Sequence, residues 1–216
     1  MEQLISTLKQ YRILQIFTIS LRYLLGASFV YASVFKIQGK RFVPEPGAST
    51  ASGSLAHFFE AMYQAEMYWH FIGWGQLIAG FLLMSQVFST LGAVAFFSIV
   101  LNIFIITLSF ESASIQIITF LMLLGNIYLL LWDWNKLKFI ALPKPQHYLD
   151  NNAEFSTRRV WTYVGLLYFF IVVLLRYAMS GNPLPDKSMP VNFVLLSAVG
   201  MLLIWVITVV TQLAKK

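Results

Sequence analysis

The chain contains no cysteine, which excludes disulfides, thiolate metal sites and any internal dithiol relay. Charge is scarce as well. Asp, Glu, Lys and Arg make up 11% of its 216 residues, against roughly 25% in a soluble domain. No basic run interleaved with aromatics suggests a nucleic-acid surface, and there is no nucleophile triad or phosphate-binding glycine loop. The long apolar runs have no Asp or Glu away from their ends. That disfavours a proton-coupled carrier, because pumps and symporters keep such a group within the membrane. Nor do the runs show an inverted repeat or a pair of broken helices.

What remains is mostly apolar. Hydrophobic residues are 58% of the chain, and mean hydropathy is +0.71. A hydrocarbon core of about 30 Å needs about 20 helical residues, and the runs are continuous, unlike the alternating strands of a barrel. The expectation is an all-α, multi-pass membrane protein in a lipid bilayer. Six spans are expected, at about 13–35, 69–88, 91–108, 115–132, 160–179 and 191–213. The first twelve residues are mixed and polar, and Arg22 interrupts the apolar run behind them, which does not fit a cleaved signal peptide.

The spans divide into units. Residues 1–140 hold four spans, 141–159 form a polar linker with Pro143, Pro145 and Asn151-Asn152, and 160–216 form a two-helix hairpin. Between the first two spans, Leu55, Phe58, Phe59, Met62, Tyr63 and Met67 fall at helical spacing, which predicts an interfacial amphipathic helix over 55–68. Trp132-Asp133-Trp134-Asn135-Lys136 reads as an interfacial stop. With the N-terminus inside, the cytoplasmic side collects nine Lys and Arg and the other side five. This excess favours cytoplasmic termini, a periplasmic amphipathic helix and residence in the inner membrane.

Intramembrane polar residues concentrate in the first four spans: Arg22, Gln76, Asn102, Gln116 and Asn126. A charge near the bilayer centre costs between about 2.5 and 17 kcal/mol, so Arg22 must snorkel, pair or line a hydrated cavity. Its guanidinium fork suits a ligand carrying two oxygens. Equally, Gln76 and Asn126 can satisfy it as a purely structural device. Lys36 stands where a snorkelling lysine ends a span, and is also a ligand-binding candidate. His57 and Glu60 are three apart, and Glu66 and His70 four apart. Each pair can share a helix face and offer metal ligands, or simply decorate a wet face.

Arg22-Tyr23-Leu24-Leu25-Gly26, nine further residues and then Lys36 resembles the first-helix pattern of DoxX-like membrane proteins: Arg, three residues, Gly, nine residues, Lys. The stretch from Gly75-Gln76 through Gly80 to Leu83 is similar to that family's second-helix motif. Gln76 stands where many relatives place Glu, and Ser33 where they place Gly. The resemblance covers about residues 10–140, so the expected fold is a four-helix DoxX-like bundle with an added C-terminal hairpin. It implies a membrane subunit of a quinone-linked oxidoreductase system, whose redox cofactor sits on a partner protein. No covalent cofactor signature is present, and quinone is the candidate ligand. In that reading its carbonyl approaches Arg22 and Gln76, with Asn126 and Asn102 in the same polar interior. An amide at position 76 holds a ligand but does not supply a proton as Glu does. The alternative is a noncatalytic scaffold or assembly subunit, and a small-molecule transporter comes third.

Overall fold

A computed structural model describes residues 5, 7–41, 51–110, 113–141, 158–181 and 188–214. Most of the expected linker, and residues 182–187, lie outside the described residues. Among the described residues the chain is all helical, with no strand. The helices are α1 (Arg12–Ile37), α2 (Leu55–Gln64), α3 (Glu66–Met84), α4 (Ser89–Ser109), α5 (Ala113–Trp132), α6 (Trp134–Ala141), α7 (Arg159–Gly181) and α8 (Ser188–Ala214). Five are long and apolar enough to cross a membrane: α1, α4, α5, and residues 159–179 of α7 and 195–214 of α8. α3 is not among these five; Glu66, His70 and Gln76 dilute its apolar run.

Helix ends follow local chemistry. α1 runs two residues beyond the expected Phe35 and closes at Gly39, whose φ of +62° admits a left-handed turn. There the Gly39 N–H donates to the Lys36 carbonyl at 3.1 Å and the Lys40 N–H to that of Phe35 at 2.9 Å. This is the paired closure that favours glycine after a helix. The amphipathic segment is shorter than expected. The Ser54 side chain caps α2 by accepting from the His57 N–H at 3.2 Å, but the helix breaks at Ala65 and the chain enters α3 at Glu66. α3 stops at Met84, short of Phe88, because Gln86 adopts a φ of +61°, a conformation that non-glycine residues hold only when their surroundings enforce it.

α1 is the central post. Half of its most apolar window is buried, against 6% for α8. It packs most extensively on α3, then on α7, with α4 and α5 completing the bundle. The α1–α3 seam is glycine-lined: a Cβ on Gly80 would lie 2.8 Å from the Gly26 carbonyl oxygen, and one on Gly73 2.8 Å from Lys36 Cβ. Small residues let helix backbones approach where lipid offers no hydrophobic drive. One core cluster gathers Leu25, Phe29, Ala79, Leu83, Phe96 and Val100 between α1, α3 and α4. A second joins Ile19, Tyr23 and Val30 of α1 to Trp161, Val164 and Tyr168 of α7, and the Tyr23 hydroxyl donates to the Trp161 carbonyl. The hairpin is therefore built into the bundle through α7. α8 rests outside, with Met201, Ile204, Trp205 and Val209 touching the second cluster.

Gly165 of α7 crosses directly over the end of α3, where a Cβ would overlap the Met84 carbonyl, whereas one on Gly200 of α8 meets nothing within 4 Å. Gly165→Ala is expected to destabilise the purified protein by about 1–3 kcal/mol through overpacking against rigid backbone. Gly200→Ala is expected to be neutral. Thermal unfolding of both variants in the same detergent checks the contrast.

Candidate functional site

Arg22 lies on the buried face of α1, about 6% exposed. Helical side chains lean toward the helix N-terminus, so its guanidinium reaches toward the end of the bundle that carries the α3–α4 turn and the α5–α6 junction. There Nη2 donates to Asp133 Oδ2 at 2.8 Å, a salt bridge with both side chains under a tenth exposed. Nη1 donates to Gln86 Oε1 at 3.0 Å. Thr90 Oγ1, in the first turn of α4, donates to the same Asp133 oxygen at 3.0 Å. One ion pair thus ties together α1, the α3–α4 turn, the start of α4 and the break between α5 and α6. The left-handed Gln86 backbone and the Asp133 break deliver its partners. Arg22 Nε is buried without a hydrogen-bond partner among the described residues.

The expected partners of Arg22 are elsewhere. Gln76 is ten positions before Gln86, about 15 Å away at 1.5 Å per helical residue. It is buried on the seam with α1, and its Oε1 has no partner among the described residues. Asn126 is fully buried and donates from Nδ2 to the Ala93 carbonyl at 3.1 Å, tethering α5 to α4. Gln116 closes the α4–α5 turn by donating to the carbonyls of Thr107 and Phe110 at 2.9 and 2.8 Å. Asn102 is exposed on the outward face of α4. The polar residues expected around Arg22 are therefore dispersed: Gln76 lies on the seam with α1, Asn126 against α4 and Asn102 on the outward face of α4. Gln86, Thr90 and Asp133 are the residues that sequence reasoning missed.

A second polar group occupies the opposite end. Lys36, the next-to-last residue of α1, is buried, because Gly73 lets α3 close over its stem. Its ammonium donates to the Ala32 carbonyl at 3.0 Å and lies 5.3 Å from the Trp69 ring centroid. Arg176 of α7 is stacked on the rings of Tyr31 and Phe35 and donates from Nε and Nη1 to the Tyr31 carbonyl and hydroxyl at 3.1 and 3.0 Å. Below it, Trp69 Nε1 donates to the Lys40 carbonyl at 3.0 Å. Arg41 grips both carboxylate oxygens of Glu60, with Nε at 3.3 and 3.0 Å. This hydrogen-bonded carboxylate raises the Arg41 pKa further above its ordinary value. Glu60 is thereby committed to Arg41, and His70 Nδ1 lies 2.8 Å from the Glu66 carbonyl. His57, Glu60, Glu66 and His70 do not assemble, and among the described residues no group of three or more His, Asp or Glu is placed to hold a metal ion.

No family model, curated protein or solved structure matches this chain.

Removing the Asp133 charge leaves a buried guanidinium uncompensated, which costs about 3–5 kcal/mol when one partner of a buried pair is lost. Asp133→Asn is therefore expected to lower stability strongly. Thr90→Val, which deletes one hydrogen bond to the same carboxylate, should cost about 1–3 kcal/mol. Unfolding in detergent, followed by tryptophan fluorescence, measures both.

Proposed function

We propose that this chain is a DoxX-like membrane subunit that anchors and organises a redox assembly in the inner membrane, with the chemistry carried by a partner protein. The noncatalytic role is supported by one observation above the others: Arg22 is closed on Asp133 and Gln86. A guanidinium whose charge is matched inside the fold has little left with which to polarise an incoming carbonyl. The link to redox chemistry rests on the first- and second-helix resemblance alone. In this reading α3, which packs on α1 from Gly26 to Ile37, is the sixth span, and both termini face the cytoplasm. α2, locked to the bundle by Arg41–Glu60, lies at the periplasmic surface.

One observation favours a quinone-binding variant of the same proposal. The Gln76 amide is buried at the glycine-lined seam with an unsatisfied oxygen, and buried polar groups ordinarily find a partner. An amide offers both a donor and an acceptor, so a quinone that entered there would be held by hydrogen bonds, without charge assistance from Arg22.

Purification from native membranes in mild detergent, with copurifying proteins and quinones identified, separates the two. The scaffold reading expects a partner protein that stays bound when Gln76 is changed to Leu. Bound quinone that is lost in Gln76→Leu, with no partner present, overturns the scaffold reading in favour of the quinone site.

A further inference from the structure

The outward face of α4 carries a residue that lipid does not satisfy. Leu91, Val94, Ser98, Leu101, Ile105 and Leu108 recur at alternating spacings of three and four, and all are exposed. The opposite face, with Phe96 and Val100, is in the core. A three–four repeat is the seam pattern of a left-handed helix pair. Ser98 gives that seam a small residue near its middle, the kind that lets two helices approach closely in a membrane.

Asn102 borders this seam. It lies thirteen residues after Ser89 and seven before Ser109, roughly 20 Å and 10 Å from the two helix ends, which places it within a hydrocarbon core of about 30 Å. The hydroxyls of Ser98 and Ser109 turn back onto the carbonyls of Val94 and Ile105 at 3.3 and 3.0 Å. The Asn102 side chain makes no hydrogen bond among the described residues. Asn126 and Gln116 both find protein partners, so the outward amide is the exception among the intramembrane amides of α4 and α5.

We propose that α4 is the self-association face of this protein, pairing with α4 of a second copy so that the two Asn102 amides bond across a twofold axis. An amide is at once donor and acceptor, and on an isologous interface the same residue meets itself. A second copy supplies the complementary group by symmetry, which an acyl chain cannot do. A single polar residue beside an apolar seam also fixes register. This proposal is independent of the scaffold reading.

The absence of native cysteine makes the test clean. Ser98→Cys and Ile105→Cys are introduced singly, oxidised in intact membranes, and compared with Leu121→Cys on the outward face of α5, which is 58% exposed. The proposal expects disulfide-linked homodimers from the two α4 positions and none from Leu121→Cys. Adding Asn102→Leu should lower the dimer yield by about tenfold, and Asn102→Gln should retain it. Size-exclusion profiles confirm that each variant is folded. The proposal is overturned if the α4 variants give no homodimer, if Asn102→Leu leaves the yield unchanged, or if α4 crosslinks to a different protein instead.

Discussion

The bundle depends on the burial of one ion pair. Arg22 is too far from a helix end to sit harmlessly in lipid, and Asp133 is too close to the bundle to sit harmlessly in water. Each removes the other's difficulty at 2.8 Å. Their pairing requires three local departures from ideal helix: α3 must stop at Met84, Gln86 must turn left-handed, and α5 must break at Asp133. In return three segments distant in sequence, around Arg22, Gln86–Thr90 and Asp133, share one fixed point. A buried pair is weak evidence for net stability, but breaking it is severe. Its best-supported role is to specify arrangement, here the register of α1 against the α3–α4 turn and the α5–α6 junction.

Around that point the fold is organised by close approach. Gly26, Gly73 and Gly80 bring α1 and α3 into near backbone contact, and Gly165 lets α7 cross the end of α3. The same approach explains why Lys36 is buried: with no Cβ at position 73, α3 closes over the lysine stem and Trp69 covers its ammonium. Cations at the two ends thus meet different fates. Arg22 is neutralised by a carboxylate, whereas Arg176 is held by aromatic faces and the backbone of α1. The polar residues of the spans mainly stitch helices together, as in Asn126 to α4 and Gln116 across the α4–α5 turn.

Much of this was legible in the sequence, for definite reasons. Continuous apolar runs give α1, α4, α5, α7 and α8 directly, and the scarcity of charge makes Arg22 conspicuous. Helix ends were less legible, because they turn on single residues: Gly39 extends α1, Gln86 shortens α3, and Ala65 divides the segment expected over 55–68. The partner of Arg22 was misread because proximity was judged by shared burial. Gln76 and Asn126 are both polar and both inside, yet Gln76 lies ten positions before Gln86 on α3, and Asn126 is turned onto the Ala93 carbonyl of α4. The available signal was Asp133, an acid abutting the end of a span. Set between Trp132 and Trp134 it resembled an interfacial stop, and only the lean of Arg22 toward its helix N-terminus shows which carboxylate it meets. The outward position of Asn102 was illegible, because no periodicity separates core from periphery in helices that are apolar on every side.

The central claim is that the charge of Arg22 belongs to the fold. A double-mutant cycle tests it most directly, with Arg22→Met, Asp133→Leu and the pair compared for unfolding in one detergent. Residues in direct contact within one network show coupling of about 0.5–3 kcal/mol. The account predicts a value in the upper half of that range, with the double variant more stable than Asp133→Leu alone. Additive effects, with Arg22→Met leaving stability unchanged, would contradict it and return Arg22 to the role of a ligand anchor.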